Sequence, residues 1–194
     1  MLNGDARVYL VTHFRSARDE LLRKRDVDLA KVAGGVTDFQ SGVSRVRYLT
    51  MFQPHCDFMV GLARAHAGAT LKAYELDGSP LTQAIVDTEV MPEVKKILDE
   101  YSRRVLSSES LWIQLTEPRG TPDASRSTKL LSLAHHFNKV VVETQESIRS
   151  DLTLRMLEAT RNNDKRQRGA VLPAGKHRRR RAGENVFDQT KGQS

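Results

Sequence analysis

Residues 127–162, STKLLSLAHHFNKVVVETQESIRSDLTLRMLEATRN, decide the fold of this chain. The positions that form a single seam along this stretch are Leu130, Leu133, Phe137, Val140, Thr144, Ile148 and Leu152. Their spacing of three or four residues places them on one face of an α-helix in a near-heptad pattern. We therefore predict a long helix from about Ser127 to Asn162 whose apolar face packs into a core.

Four segments before this stretch show the same helical spacing. Their stripes are Leu10, Phe14, Ala17 and Leu21; Phe39, Val43, Val46 and Thr50; Phe58, Leu62, Ala65 and Ala69; and Val94, Ile97, Leu98, Tyr101 and Val105. The third segment also contains small residues, namely Gly61, Ala63, Ala65, Ala67, Gly68 and Ala69. Small side chains allow two helix backbones to approach closely, so we expect a neighbouring helix to pack against this segment.

Glycine, proline and capping residues punctuate these segments. We place helix starts at Asp5 (as N-cap), Pro54, Pro80 (capped by Ser79) and Pro92, and helix ends at Gly34-Gly35, Leu76 and the Thr116–Ser127 loop. Residues 111–115 have a strand-like composition but no partner strand, so we predict a buried helix there. The sequence thus predicts an all-α fold, a helical bundle of about five to seven helices with a flexible basic C-terminal arm.

The positive charge is confined to one end of the chain. The 194 residues carry 31 Lys and Arg against 24 Asp and Glu, a net charge of +7. Residues 161–194 hold ten of these cations and three of the anions, so residues 1–160 have equal numbers of both. The apolar periodicity also stops after Asn162-Asn163. We therefore predict two regions: a helical body over residues 1–163, and a largely irregular basic arm over residues 164–194.

The basic arm has the chemistry of a phosphate-binding segment. Its candidate nucleic-acid-binding residues are Lys165, Arg166, Arg168, Lys176, Arg178, Arg179, Arg180 and Arg181. Five of these cations fall within residues 176–181, and each guanidinium can pair with two phosphate oxygens. Two other interpretations stay open. The two basic groups are also typical of a two-part nuclear import signal, and a basic tail can be merely solvated or can dock on an acidic protein surface.

Catalytic, metal and cofactor sites are not indicated. One cysteine, Cys56, excludes a disulfide framework or a CxxC-type zinc site. His55 and His66 are eleven residues apart, about 16 Å along a helix, which is too far for one zinc ion. Gly34-Gly35 lacks the Lys-Ser/Thr of a phosphate loop. We predict that the protein is not an enzyme and has no catalytic residues, metal or cofactor; a helical enzyme using Cys56 or a histidine is a distant alternative.

These features favour a structural or assembly component of a nucleoprotein or virion-type complex. Low aromatic content, 6%, argues against base stacking, so the basic arm is expected to contact phosphates without reading sequence. The expected partners are nucleic acid and other protein subunits of the assembly, and not a membrane, because no run reaches the ~18 apolar residues of a spanning helix. The N-terminus is not a secretory signal, which predicts an intracellular (cytoplasmic or nuclear) or virion location. The alternative is a helical adaptor whose tail docks on an acidic protein or directs nuclear import.

Overall fold

The computed structural model describes residues 2–34, 49–116 and 123–170, and no strand occurs among them. Four long helices form this part of the chain: α1 (Gly4–Gly34), α2 (Gln53–Leu76), α4 (Met91–Thr116) and α5 (Asp123–Ala170). The three-residue helix α3 (Gln83–Ile85) and a π-helical turn (Val86–Val90) lie between α2 and α4. The predicted all-α class is confirmed. Of the predicted helix through Phe39, Val43, Val46 and Thr50, the first three positions lie outside the described residues and Thr50 is helical, so the count of five to seven helices stays a prediction.

The chain divides into two units, Met1–Leu157 and Glu158–Ser194. Helices α1, α2 and α4 and the part of α5 up to Leu157 belong to the first unit. In the second unit the described residues are those of the C-terminal part of α5, up to Ala170. Helix α5 therefore ends eight residues later than the predicted end at Asn162. The proposed division into a body and a basic arm at residue 163 stays a prediction.

The local breaks in the sequence set most helix ends. Helix α1 ends at Gly34, and α2 begins at Gln53 with Pro54 in its first turn and ends at Leu76, as predicted. The turn after α2 contains a residue with positive φ, and this residue is Gly78, with φ +70°. Glycine adopts this conformation without a steric penalty. Residues 111–115 are helical, which confirms that this stretch is not a strand.

Two predicted caps are wrong. Asn3 rather than Asp5 caps α1, because its side-chain oxygen accepts a 2.9 Å hydrogen bond from the backbone N–H of Ala6. Thr82 caps α3 through the N–H of Ile85, whereas Ser79 instead donates its hydroxyl to Asp77. In both places several residues that can act as N-caps lie within a few positions of each other. The one that directly precedes the first helical residue accepts the hydrogen bond from the first turn.

Helix α2 lies between two packing surfaces. On one side it packs against α1 in an antiparallel arrangement, because Phe14 contacts His66 and Leu21 contacts Gly61. A Cβ placed on Gly61 would come within 2.8 Å of a Leu21 methyl carbon, so the predicted close approach at the small residues is confirmed. On the other side, α2 joins an apolar core shared with the π-helical turn, α4 and α5.

The core contains most of the stripes predicted on α4 and α5. From α2 it takes Cys56, Met59, Ala63 and Ala67, so the stripe predicted on that helix through Phe58, Leu62, Ala65 and Ala69 is not the core face. Its fully buried larger side chains are Met59 on α2, Val86 and Val90 on the π-helical turn, Val94 and Leu98 on α4, and Leu133 and Phe137 on α5. Ile148 and Leu152 extend the α5 seam, and both are at most 4% exposed. The seam predicted over residues 130–152 therefore packs into the core of the first unit.

The π-helical turn has a local cause that the sequence contains. Pro92 has no N–H, and its ring clashes with the carbonyl of the residue four positions earlier in a regular helix, here Thr88. The wider turn over Val86–Val90 precedes this proline and keeps Val86 and Val90 buried. The prediction that Pro92 opens a helix is thus close to the observed start of α4 at Met91.

Candidate functional site

The predicted nucleic-acid-binding residues lie only in part within the described structure. Lys165 is on α5 and exposed. Arg166 and Arg168 are on the same helix, near its end at Ala170, and nothing further is described of their side chains. Lys176, Arg178, Arg179, Arg180 and Arg181 lie outside the described residues. The assignment of the whole set therefore stays a prediction.

The C-terminal part of α5 has no core-facing side chain among those described. Leu157 is 62% exposed, and every described side chain from Glu158 to Asn162 is exposed. Arg161 and Lys165 are four residues apart, about 6 Å along the helix, on one face. This segment can therefore present two cations to a ligand from a helical backbone. Arg161 was not among the predicted binding residues.

A second group of side chains joins α1, α2 and α4 within the first unit. We call Arg25, Asp26, His55 and Tyr101 the polar cluster. Arg25 donates from Nη1 to the Tyr101 hydroxyl at 3.2 Å, and the same hydroxyl lies 2.8 Å from His55 Nδ1. Asp26 accepts two hydrogen bonds from the Arg25 guanidinium, at 2.7 and 3.0 Å. One hydroxyl thus connects side chains from three helices.

Aromatic rings support the polar cluster from the α2 side. The guanidinium carbon of Arg25 lies 5.1 Å from the centroid of the Phe58 ring, within the range of a cation–π contact. The Phe58 and Tyr101 rings are 4.8 Å apart between centroids. Phe58 is 5% exposed, so these contacts shield one side of the cluster from water.

Burial changes the acid–base behaviour of this region. Burial and then the charge of Arg25 lower the pKa of His55 below its ordinary value, although Asp26 opposes them. Burial raises the pKa of Tyr101 above its ordinary value, against the opposing effect of Arg25. Near neutral pH the cluster therefore holds a neutral imidazole beside a neutral phenol and a charged guanidinium.

Cys56 does not have the properties of a nucleophile. Its side chain is 1% exposed and belongs to the apolar core, whereas the adjacent His55 belongs to the polar cluster. Burial, and then the charge of Asp57, raises the pKa of the Cys56 thiol to about 11. The reactive form of a cysteine is the thiolate, so the thiol at this position is chemically unreactive near pH 7.

The remaining histidines form no recognisable metal site. Across residues 2–34, 49–116 and 123–170, no group of three or more His, Cys, Asp and Glu residues could hold a metal ion. His66 Nδ1 and His136 Nε2 are buried without a hydrogen-bond partner. His66 packs its ring edge-on against Phe14, and burial lowers its pKa. Both imidazoles act here as packing groups.

Comparison with known proteins gives no assignment. No protein-family model matches the chain, and no curated protein or solved structure is similar to it at a significant level. Among the described helices, none is both long enough and apolar enough to cross a bilayer.

Sequence patterns could not have located the polar cluster. Arg25, His55 and Tyr101 are 30 and 46 residues apart along the chain, and no local spacing relates them. Tyr101 belongs to a predicted apolar stripe. The stripe predicts on which side of α4 the ring lies, but it does not predict a partner for the hydroxyl. The only available signal is that each residue is a polar or amphipathic group beside an apolar stripe.

Proposed function

We propose that this protein is a non-enzymatic assembly component of a nucleoprotein or virion-type complex, and that its basic arm contacts nucleic-acid phosphates without reading sequence. The observation that carries the proposal is the segregation of charge. All the excess positive charge falls within residues 161–194, while residues 1–160 are neutral in sum. A polyanion attracts such a segment strongly, because each neutralised phosphate releases condensed counterions.

The exposed C-terminal part of α5 supports this proposal. Arg161 and Lys165 stand on a helix whose described side chains from Leu157 onward make no core. A helix that is polar all round is not held in place by packing, so its side chains are available to a charged partner. We extend the proposed phosphate contacts to Arg161 on this basis.

The first prediction is that binding depends on the basic arm. A chain lacking residues 171–194 loses the five cations of the cluster, Lys176 and Arg178 to Arg181, together with Lys191. If all five contact phosphates, the slope of log K against log salt for a random-sequence oligonucleotide falls by about four. Affinity at moderate salt then drops by orders of magnitude, which fluorescence anisotropy over a salt series measures.

Matched variants locate the contacts. Substitution of Arg161 and Lys165 by Gln in the full chain should reduce the slope by about one to two. The control is a double Arg15→Gln, Arg23→Gln variant, which removes two exposed cations from α1. Unchanged affinity after removal of residues 171–194, with loss in the α1 variant, would move the binding site to the helical body. The truncated chain should keep its melting temperature, because residues 171–194 contain few large apolar groups.

The adaptor function is supported by a different observation, the spacing of the two basic groups. Lys165-Arg166 precedes the run from Lys176 to Arg181 by a short spacer, a pattern typical of two-part import signals. An adaptor keeps its main protein partner after loss of residues 171–194 and does not bind the oligonucleotide. Fusion of residues 164–194 to a reporter tests import separately, since nuclear accumulation requires no nucleic-acid binding.

A further inference from the structure

The polar cluster has a hydrogen-bonding arrangement that depends on one proton. The Tyr101 hydroxyl has one hydrogen and two lone pairs, and it accepts from Arg25, which cannot accept a hydrogen bond in return. The hydroxyl hydrogen is therefore satisfied when it is donated to His55 Nδ1, 2.8 Å away. That donation requires a neutral imidazole whose own hydrogen is on Nε2.

Protonation of His55 disrupts this arrangement in two ways. Nδ1 of an imidazolium is a donor, so the hydroxyl has to accept from both neighbours and turn its hydrogen away from Nδ1. The imidazolium also brings a second positive charge close to Arg25, because Nη1 of Arg25 and Nδ1 of His55 both contact one oxygen and are within about 6 Å of each other. Like charges at this distance repel, and the half-buried setting screens them poorly.

The charged and titratable groups around His55 come from each helix packed against it. Helix α1 contributes Arg25 and Asp26, and α4 contributes Tyr101. On α2, Cys56 points into the apolar core and Asp57 is exposed, accepting a hydrogen bond from Gln53. Asp26 is the only acidic group among these that favours a protonated His55, and it is already engaged twice by Arg25.

We propose that the polar cluster is a proton-sensitive contact that holds the C-terminal half of α1 on α2 and α4 while His55 is neutral and releases it when His55 gains a proton. Other contacts of α1 in this region are Leu21 against Gly61 and the Arg25 guanidinium over Phe58. Two of the three groups that hold Arg25 in place, Tyr101 and the Phe58 ring, lie on the helices from which α1 would separate. Release therefore uncovers the apolar ring of Phe58.

The sign of the pH effect follows from the direction of the shift. The pKa of His55 in the folded chain is lower than the value near 6.5 of a solvated histidine. At a pH between these two pKa values, the unfolded or released state therefore binds more protons than the folded state. The contact is at full strength above about pH 6.5. It weakens as the pH falls from there through the folded-state pKa.

Hydrogen exchange of the full-length chain tests the proposal. We expect the amide protection factors of α1 around Arg25 to fall between pH 7.5 and pH 5.5, while those of the core segment of α5 hold. In a His55→Gln variant, whose amide has no proton to gain, the fall should be absent. Two controls are His135→Gln, which changes an exposed histidine, and His66→Gln, which removes the other titratable histidine at the α1 surface of α2. Both controls should keep the fall.

Direct titration by NMR keeps the proposal testable if a variant does not fold. In the unmodified chain, His55 should be in the Nε2–H form at pH 7.5 and titrate below 6.5, and the Tyr101 ring signals should shift with the same midpoint. Tyr101→Phe should raise the His55 midpoint, because the neutral imidazole loses its donor. A His55 midpoint at or above 6.5, or a fall in α1 protection that persists in His55→Gln, would overturn the proposal.

Discussion

The two faces of α2 are built from different chemistry. The face toward the core presents Met59, Ala63 and Ala67, each at most 4% exposed, to an apolar cluster shared with α4 and α5. The face toward α1 presents Gly61 and His66, and it ends at the polar cluster around His55. The cluster on the first face is made of apolar side chains, whereas the second face contains two histidines.

The two faces of α2 therefore differ in whether their packing depends on protonation. Apolar burial stabilises the core by an amount that scales with area and does not depend on protonation. The α1 face also has apolar contacts, such as those of Phe14 and Leu21, but it adds contacts of the Tyr101 hydroxyl and of two imidazoles, whose strength depends on protonation. Conditions that leave the core intact can therefore weaken the attachment of α1, and substitutions on the two faces should differ in size and in pH dependence.

The largest effect is expected on the core side. Phe137 is 1% exposed and belongs to the apolar cluster, so Phe137→Ala leaves a cavity and should lower the free energy of unfolding by about 3–5 kcal/mol. Urea unfolding followed by circular dichroism measures this, and the loss should be the same at pH 5.5 and pH 7.5.

Val142→Ala on the same helix is the matched control, because Val142 is 46% exposed. It should change the free energy of unfolding by less than about 0.5 kcal/mol. A loss at Phe137 no larger than that at Val142 would show that the α5 seam is not the core of this unit.

The core faces of α4 and α5 could be predicted from the sequence because their signals are local. The core face of α2 could not, since both of its faces are apolar and the stripe predicted through Phe58 contacts Arg25 of α1 instead. Pro54 and Gly78 mark the two ends of α2 through backbone chemistry, and the α5 seam follows from a spacing that any helix imposes. The π-helical turn was missed, although Pro92, whose ring causes it, was recognised as a helix-start signal. The end of α5 at Ala170 could not be predicted either. Residues 163–170 contain no large apolar side chains whose spacing could indicate that the helix continues.

The α1 side could be predicted only in outline. The small residues around Gly61 predicted that a helix approaches closely, and the stripe through Phe14 and Leu21 supplied that helix. The polar cluster could not be predicted, because it depends on the register between α1, α2 and α4. A shift of one turn along α1 would separate Arg25 from Tyr101 while leaving the apolar spacing of the sequence unchanged.

An intermediate effect is expected where α1 and α2 approach most closely. Gly61→Leu inserts four carbons at a place where even a Cβ lies 2.8 Å from Leu21, and such overpacking costs about 1–3 kcal/mol. The change should be seen in urea unfolding and as lost amide protection in α1 around Leu21.

Gly68→Leu on the same helix separates overpacking from helix propensity. No atom lies within 4 Å of a Cβ placed on Gly68, which is exposed. Replacement of a glycine inside a helix by a good helix former should raise the free energy of unfolding by about 0.5–1 kcal/mol. Equal effects at the two glycines would mean that α1 does not pack closely on α2 at Gly61.

The smallest effect is expected at the opposite end of the α1 contact, where Asn3 caps the helix. Its side chain accepts from the Ala6 N–H at 2.9 Å, and its own N–H donates to an Asp77 carboxylate oxygen at 2.8 Å, which joins the start of α1 to the end of α2. Asn3→Ala removes the cap but keeps the backbone donor, so the free energy of unfolding should fall by about 1 kcal/mol. For a chain of this size that corresponds to a drop in melting temperature of about 2–4 °C.

Asn3→Ser decides whether the cap carries that effect. A serine hydroxyl can accept from the same N–H, so this variant should stay within a few tenths of a kcal/mol of the unmodified chain.

The contact with Asp77 adds a pH dependence of its own. The Ser79 hydroxyl, and then the Asn3 N–H, lower the pKa of Asp77, so its contribution is present above the ordinary carboxyl range and is lost as the pH falls through the lowered value. The loss at Asp77 begins only below the ordinary carboxyl pKa, whereas the His55 contact already weakens below about pH 6.5, so melting curves at pH 7.5, 5.5 and 3 distinguish the two ends of α1. If Asn3→Ala and Asn3→Ser destabilise the chain equally, the start of α1 is held by the backbone contact to Asp77 and not by the cap.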